Sequence, residues 1–444
     1  MSSSAAKPPR DQRSGAALLA RVLSEIDLLS PDGMGAVAPT VPLPSRLAAG
    51  DLAWASVAAA HVAAGRSPDL VDAHRVAVSY RSDRFLTIDG SAPPVWSPFS
   101  GFWRTRDGWI GTHGNYPHHA RALLSGLGLR PDADADHVRT ALASLTSGEG
   151  VAAITASGGL AVPVLRERPE DDRALRSMPL LDIARLSPAH SVERRTSATA
   201  EQPLRGFRVL DLTRVIAGPV CTRTLALLGA DVLRIDPPHL PEPEWQHFDT
   251  GHGKRSAVLD ARSSQFHDLL ETADAVVLGY RPAALDRLGL DPDELAHRYP
   301  GLVVAQLSAW GTDQPERAGF DSLVQAESGI ALVESPDGHT PGVLPAQALD
   351  HSAGYLLAAA VTTLLQRRTR DGGTWRVRTS LRRVAAELLG MPRTDDPAPE
   401  EAFDPSPHLT HFTVEGRDVV TARPALAGTD FAPPRRWGRD QPVW

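Results

Sequence analysis

Cysteine and lysine are both scarce in this chain of 444 residues. Cys221 is the only cysteine, so no disulfide can form within the chain, and we expect a reducing, cytoplasmic location. Among 46 basic residues, only Lys7 and Lys254 are lysines. Lys254 lies in a structured region, where a retained lysine indicates a need for a compact ammonium group rather than a guanidinium.

Long apolar runs are absent as well. The first fifteen residues have no apolar core of the signal-peptide type, and the longest apolar run, Tyr355 to Leu365, is about half of the ~20 residues that span a bilayer. We interpret this run as a buried helix. The net charge of −7 disfavours nucleic acid and anionic membranes as partners. We therefore expect a protein that acts on small molecules.

The pattern of apolar residues divides the chain into parts. We predict an N-terminal tail and helix (1–39), a small α+β domain (40–190), a Rossmann-like domain (203–394) and a Pro-rich extension (395–444), with a linker at 186–202. In the small domain, Arg75 to Tyr80 and Gly108 to Gly114 are predicted strands. From residue 203, short apolar strands alternate with helices, which is typical of an α/β fold with a doubly wound parallel sheet.

The first strand-to-helix turn of the Rossmann-like domain lacks the glycines of a dinucleotide site. Residues 209–222 read VLDLTRVIAGPVCT, without the G-x-G-x-x-G that brings backbone against a pyrophosphate. Asp236 stands where a ribose-binding acid would fall, but without the glycines it carries little weight. The sequence therefore disfavours NAD as a ligand.

Six blocks of the second half resemble the class III CoA-transferase family, which includes formyl-CoA transferase, the carnitine CoA-transferases and the 2-methylacyl-CoA racemases. They are residues 203–238 (with TRVIAGPVCT and LLGADVLRIDPP), GHGKRSAVLD (251–260), ADAVVLGYRPAALDRLGL (273–290), YPGLVVAQLSAWG (299–311), AGFDSLVQAESG (318–329) and ALDHSAGY (348–355). The resemblance implies a CoA-binding enzyme without a metal that forms a homodimer of interlocked chains. In typical members the small domain follows the CoA-binding segment, whereas here the similar residues, 99–185, come first.

The resemblance also implies roles for individual residues. Asp350 corresponds to the aspartate that attacks the acyl-CoA thioester, forms an acyl-aspartyl anhydride and then an aspartyl-CoA thioester, and passes CoA to a carboxylate. Arg214, Val215 and Ala217 would flank the pantetheine, and the nucleotide end would be lined by Lys254, Arg255, Ala284, Arg287 and Leu288. The simpler interpretations are that Asp350 caps the helix predicted from about Ser352 and that the arginines are solvated surface charges.

Two other functions stay open at this point. A racemase of this family has a histidine where this chain has Phe320, so transfer is favoured over proton abstraction, although His351 could serve as the base. A catalytically silent CoA-binding subunit is the second alternative, because Leu349 replaces the usual glycine before the aspartate. We interpret His113, His118 and His119 as loop residues rather than metal ligands. Cys221 is predicted to be a buried, unreactive residue.

Overall fold

The structure is a computed structural model that describes residues 13–28, 38–187 and 198–444. Residues 1–12 and 29–37 of the predicted N-terminal tail and helix, and residues 188–197 of the predicted linker, lie outside the described residues. The elements up to residue 187 are α1 (Arg13–Glu25), α2 (Ala49–Ala63), α3 (Ala73–Tyr80), α4 (Ser82–Phe85), β1 (Thr87–Ile88), β2 (Gly101–Arg104), β3 (Trp109–Thr112), α5 (Pro117–Gly126), α6 (Ala135–Ala143), α7 (Ser147–Ala156), β4 (Ala161–Pro163), α8 (Pro169–Ser177) and β5 (Asp182–Ser187).

The predicted strand at Arg75 to Tyr80 is wrong, because these residues form α3. The β-branched residues Val76 and Val78 favour a strand locally. However, the side chain of Asp72 accepts a hydrogen bond from the backbone N–H of Arg75 at 2.7 Å and so caps a helix. The capping residue, rather than the valines, decides the local structure.

The second part of the chain alternates strands and helices as predicted. Its elements are β6 (Arg208–Leu212), α9 (Ala217–Leu227), β7 (Asp231–Asp236), α10 (Glu244–Thr250), β8 (Arg255–Val258), α11 (Ser264–Glu271), β9 (Ala275–Leu278), α12 (Pro282–Asp286), α13 (Pro292–Arg298), β10 (Val303–Ser308), α14 (Asp321–Ser328), α15 (Ile330–Val333), α16 (Ala348–Asp371), β11 (Thr374–Ser380), α17 (Leu381–Gly390), β12 (Leu409–Val414) and β13 (Arg417–Ala422).

The central sheet has seven strands in the order β5–β11–β10–β9–β6–β7–β8. Strands β6 to β11 are parallel, and β5 joins the edge antiparallel to β11. Counted from β6, the parallel strands follow the 3-2-1-4-5-6 order of a Rossmann fold. The predicted α/β class is therefore confirmed. The direction of winding reverses between β6 and β9, which is where such sheets bind ligands.

Alternate residues of the parallel strands enter two different cores. Val209 and Val277 belong to the core that contains α2, α9 and α16, whereas Leu210 and Leu278 belong to the core that contains α11 and α13. Helices therefore cover both faces of the sheet. This explains why β6, β9 and β10 place apolar residues on both faces of the sheet.

The described residues before position 188 do not form one packing unit. Helices α1 and α2 share a core with α9 and α16, whereas β2, β3 and β4 form a separate sheet whose core includes residues of α5, α6 and α7. A third sheet, β1–β13–β12, joins residue 87 to the C-terminal extension. The domain limits at 40–190 and 203–394 stay predictions, since packing alone does not define independent folding units.

Helix α16 is 24 residues long and, by length and composition, is apolar enough to cross a membrane. Its most apolar stretch is fully buried inside the protein. The interpretation of this segment as a buried helix is confirmed.

Candidate functional site

A cavity of about 1090 Å³, its open mouth included, lies beyond the carboxyl ends of β6 and β9. This is the position at which the strand order reverses, and a ligand site is expected there. The cavity combines residues from the turn after β6, the turn after β9 and the start of α16. It also includes residues of the small sheet unit, which is the sheet of β2, β3 and β4 together with α5, α6 and α7. Its lining includes Tyr116, His118, His119, Arg214, Val215, Ala217, Tyr280, Arg281, Ala284, Arg317, Phe320 and Asp350.

The turn between β6 and α9 brings the backbone close to the cavity. A Cβ atom at Gly218 would lie 2.3 Å from the Cβ of Thr213, so only glycine permits this turn. Val215 has a φ of +71°, a left-handed conformation that is strained for a β-branched residue. Strain of this kind concentrates at ligand sites, where the surrounding structure holds it in place. Val215 therefore makes this turn a candidate functional element.

Close packing of α16 on α9 positions Asp350. A Cβ atom at Gly354 would lie 2.5 Å from the carbonyl oxygen of Ala217, so the two helices approach to backbone contact there. One turn before Gly354, Asp350 then faces the strained turn of Val215. The helix begins at Ala348, so Asp350 lies inside its first turn and is not its N-cap. The capping interpretation of Asp350 is wrong.

Asp350 and Asp321 form a pair of neighbouring buried acids. The backbone N–H of Asp350 donates to Oδ2 of Asp321 at 2.9 Å, and the side chain of Gln325 donates to Oδ1 at 2.6 Å. Burial raises the pKa of Asp321 to about 6, although these hydrogen bonds act in the opposite direction. Burial, and then the charge of Asp321, raise the pKa of Asp350 well above its usual range. Of the two acids, only Asp321 has hydrogen bonds from described residues that favour its ionised form.

Histidines of α5 face the same cavity. His119 is partly buried, and burial together with His118 and Arg214 lowers its pKa to about 4, so its ring is neutral at pH 7. The Nδ1 atom of His119 is buried and has no hydrogen-bond partner in the described part of the chain. His113 stacks on Phe320, with ring centroids 3.8 Å apart. The interpretation of these histidines as loop residues is wrong for His118 and His119, which lie on α5 and line the cavity.

A buried carboxylate joins the two walls of the cavity. Glu242 accepts hydrogen bonds from the hydroxyl of Tyr116 at 2.7 Å and from Nε of Arg214 at 3.2 Å. Arg234 pairs with the same carboxylate from the sheet side. The guanidinium of Arg214 also lies over the ring of Tyr116, 4.8 Å from its centroid. Glu242 thus fixes two cavity residues from separate segments of the chain, one before α5 and one after β6.

The structure does not bring Lys254 and Arg255 to the cavity. The ammonium of Lys254 is buried and donates to Oδ2 of Asp211 and to the carbonyl of Pro219, each at 3.0 Å. Arg255 pairs with Asp231 at 2.8 Å and neighbours Trp444 at the sheet edge. Both residues are occupied by contacts within the protein, so the predicted contacts to CoA are not prepared in this conformation.

The remaining predicted residues lie in or beside the cavity. Arg214, Val215, Ala217, Ala284 and Asp350 all line it, although they come from three separate segments. Arg287 and Leu288 follow Ala284 but do not line the cavity. Arg287 is half exposed and pairs with Glu316 at 2.7 Å, and Leu288 packs against the core on one face of the sheet.

Two further candidates have no access to the cavity. Cys221 is fully buried, and burial raises the pKa of its thiol, in agreement with the predicted unreactive role. His351 is buried against Tyr80, with ring centroids 4.9 Å apart, and burial lowers its pKa well below the usual value. His351 therefore does not face Asp350 across the cavity.

Sequence reasoning missed the cavity residues that come from the small sheet unit. Tyr116, His118 and His119 occur in a conspicuous block, GTHGNYPHH, whose composition was the only available signal. Arg317 was missed as well: it stacks on Trp310 at 3.7 Å from the ring centroid and pairs with Glu327. Among the described residues, no group of three or more His, Cys, Asp or Glu side chains is placed to hold a metal ion.

Part of the chain is similar in sequence to known CoA-transferases. A probable fatty acyl-CoA transferase of Mycobacterium tuberculosis, Rv3272, is 35% identical over 259 residues, covering 50% of this chain and 66% of the relative. A formyl-CoA:oxalate CoA-transferase of Afipia carboxidovorans is 30% identical over 209 residues, covering 43% and 49%. The chain thus spans about half to two thirds of the length of these relatives.

Solved structures show similarity over a smaller part. The crystal structure of Rv3272 is 33% identical over 42% of this chain and 57% of that chain, with a TM-score of 0.40. A CAIB/BAIF family protein from Brucella suis is 26% identical over 43% and 56%, with a TM-score of 0.39. The sequence model of CoA-transferase family III matches residues 204–426, which contain β6 to β13 and every predicted site residue. The chain therefore belongs to CoA-transferase family III.

Proposed function

We propose that this protein moves CoA from an acyl-CoA donor to a carboxylic acid through an acyl group carried by Asp350. The observation that carries the proposal is the position of Asp350, a buried acid in the wall of the cavity at the strand-order reversal. Arg214, Val215 and Ala217 lie in the same wall and are available to flank the pantetheine.

The proposed reaction consists of four acyl transfers. An oxygen of Asp350 attacks the thioester carbonyl, the C–S bond breaks, and CoA leaves as a thiolate. The thiolate then attacks the aspartyl carbonyl of the anhydride, which releases the donor acid and leaves Asp350 as a CoA thioester. The acceptor carboxylate repeats these two steps in reverse. Acyl-CoA and a free Asp350 carboxylate are the products, so atoms and charges balance.

Burial has two opposing effects on such a nucleophile. It raises the pKa of Asp350, so part of the population is protonated and inactive. Once ionised, however, a carboxylate stripped of water attacks more readily than a solvated one. The first turn of α16 favours the ionised form through the dipole of the helix. Activity should therefore rise with pH until Asp350 is ionised.

Trapping of the intermediate tests the proposal. Hydroxylamine added during turnover converts an activated aspartyl group into a hydroxamate, which peptide mass spectrometry locates. We expect the modification on Asp350, and we expect Asp350→Asn to lose the modification and to slow CoA transfer by about 10³-fold or more. Asp249→Asn, at a buried acid outside the cavity, is the control. Full transfer by Asp350→Asn, or a hydroxamate on another residue, would contradict the assignment.

Isomerisation of an acyl-CoA is a second candidate, which the position of His119 favours. Its unpartnered Nδ1 atom and neutral ring suit a base, and its ring centroid lies 6.0 Å from that of Phe320. Incubation with a 2-methylacyl-CoA in heavy water distinguishes the two functions. Deuterium at the alpha carbon that disappears in His119→Gln supports isomerisation, and its absence supports transfer alone.

The location and assembly form part of the same proposal. A single buried cysteine suits a reducing cytoplasm, and family resemblance suggests a homodimer that acts on soluble acyl-CoA and carboxylate substrates. Light scattering of the purified chain during size-exclusion chromatography tests the dimer, since a monomer mass at micromolar concentration would contradict it.

A further inference from the structure

A second compartment adjoins the cavity that contains Asp350. It has an empty volume of about 660 Å³, its mouth included, and lies between the loop 94–98 and the start of α10. Tyr116 and Val215 line both spaces, so the two lie side by side. Val215 is the one residue with a predicted CoA contact that lines this compartment, and the predicted reaction does not use it.

The compartment is rich in aromatic rings in a chain that has few. Trp96, Tyr116 and Trp245 are three of its twelve lining residues, whereas Phe, Trp and Tyr together make up 5% of the chain. The ring of His113 also lines it, with the ring of Trp96 at 6.3 Å in an edge-on arrangement. Pro94, Pro98 and Pro243 complete the apolar wall. Such a lining selects a flat ring, because aromatic pairs gain energy beyond the area they bury.

Hydrogen bonds hold the compartment open without a ligand. Oδ1 of Asn115 accepts from the backbone N–H of Ser97 at 3.0 Å and from the hydroxyl of Ser100 at 2.7 Å. Its amide nitrogen donates to the carbonyl of Val95 at 3.2 Å. Trp96 lies between these anchored residues and remains 46% exposed, which is unusual for a large apolar side chain. A bound ring would cover this surface at little conformational cost.

The compartment adjoins the Asp350 cavity at one particular end. Of its two shared residues, Val215 lies in the turn after β6 and Tyr116 lies at the start of α5. Ala284 and Arg281, at the opposite wall beyond β9, do not line it. The predicted nucleotide end of CoA lies on the Ala284 side, so the adenine ring is not the occupant that the geometry favours. The geometry instead favours the reacting acyl group or the acid as the occupant.

We infer that this compartment binds the aromatic ring of an aryl-substituted carboxylic acid, or of the corresponding acyl group, while its carboxyl end reaches the cavity of Asp350. The inference rests on the proposed function, in which CoA is transferred to a carboxylic acid. It assigns the acid to the class with a flat ring on a short chain, as opposed to small acids that would leave the compartment empty.

Calorimetric titration of the full chain saturated with CoA tests the inference. The probes are 3-phenylpropanoate and 3-cyclohexylpropanoate, which share a skeleton and differ in the flatness of the ring. We expect the phenyl acid to bind about tenfold more tightly. Trp245→Leu and Trp96→Leu should each abolish most of this preference. Trp109→Leu, at the other end of β3 and outside the compartment, should retain it, and melting curves verify that each variant is folded.

The possible results separate the inference from the proposed function. Equal affinity for the two acids, or a preference unchanged in both compartment variants, overturns the inference. A parallel loss of affinity for free CoA in the compartment variants also overturns it, since the compartment would then hold adenine. Selective binding of the phenyl acid without CoA transfer to any acid supports the inference and contradicts the proposed function.

Discussion

Asp211 and Asp350 are both buried, but in the described part of the chain only Asp211 has partners for its carboxylate. Asp211, on β6, accepts hydrogen bonds from Lys254 at 3.0 Å and from the hydroxyl of Thr222 at 2.6 Å. Asp350, on α16, has no hydrogen bond to its carboxylate and no ion pair among the described residues. Burial acts to raise both pKa values, but the charges of Lys254 and Arg234 outweigh it at Asp211, whose pKa lies below its usual value.

The comparison separates an acid with a structural role from one that is available for the proposed reaction. A charge with a full set of partners is stable and has no remaining capacity for a ligand. A buried acid that lacks partners and faces a cavity destabilises the fold, and such groups are concentrated at functional sites. The same comparison reassigns Lys254, whose compact ammonium is needed to pair with Asp211 in a confined space rather than to hold a phosphate.

Breaking the ion pair of Lys254 and Asp211 should have the largest effect on stability. Lys254→Met leaves Asp211 buried without its ammonium, which should lower the free energy of unfolding by about 3–5 kcal/mol. Urea denaturation measures this loss, and the double variant Lys254→Met/Asp211→Asn should recover most of it. A Lys254→Met protein of normal stability that binds CoA more weakly would restore the predicted role of Lys254 in binding CoA.

Replacement of Asp350, the buried acid without a partner in the described ranges, should raise the free energy of unfolding rather than lower it. Because the folded-state pKa of Asp350 is raised, the unfolded chain loses its proton first, and stability falls as pH rises from about 4 towards the folded pKa. Asp350→Asn removes this term. The variant should gain up to about 1.4 kcal/mol per pH unit relative to the unchanged protein over that window. Denaturation at pH 4 and pH 8 measures it, and a constant difference would contradict the raised pKa.

The coupling within the carboxylate pair can be tested separately. Asp321→Asn removes the negative charge that raises the pKa of Asp350, so Asp350 ionises at lower pH. We expect the acidic limb of the pH–rate profile of CoA transfer to move to lower pH. The single Asn oxygen can still accept the hydrogen bond from the backbone of Asp350, at the cost of the one from Gln325. A shift to higher pH would show that Asp321 supports the charge of Asp350 rather than opposing it.

The smallest expected effect concerns the strained turn. Val215→Gly relieves the positive φ at the cost of a more flexible unfolded chain, so we expect a gain of about 1 kcal/mol or less in the free energy of unfolding. The KM for acyl-CoA should rise, because the turn then holds its ligand-facing conformation less rigidly. Ala217→Gly, in the same wall but at the start of a helix, should raise the KM without the gain in stability. If Val215→Gly lowers stability, the strain is not at this residue.

Much of the seven-stranded sheet and the helices that cover it could be predicted from residue patterns. The alternation of short apolar strands with helices was predicted from residue 203 onward, and β6 to β11 have this pattern. These segments are short and strongly patterned between clear turns. Arg75 to Tyr80 was predicted wrongly, because the two valines in this segment were given more weight than the helix cap provided by Asp72. The hairpin of β12 and β13 was missed because it lies in a Pro-rich segment.

The site was predicted less completely than the fold. Asp350, Arg214, Val215, Ala217 and Ala284 were identified through resemblance, and the structure brings them to one cavity. Lys254 was selected because lysine is rare here, which correctly indicated a special environment but not the partner. His118 and His119 could not be assigned, because no local pattern shows that α5 meets the turn after β6.

The amino-acid sequence by itself determined the apolar strands, the glycine-dependent turn after β6 and the acid at the start of α16, because each depends on neighbours along the chain. Only the tertiary structure decided which charges are neutralised and which face open space, since partners such as Lys254 and Asp211 are 43 residues apart. Likewise, the aromatic compartment exists only where loop 94–98, Tyr116 and Trp245 meet. Close approach in space, rather than residue type, assigns a structural or a chemical role to a buried charge.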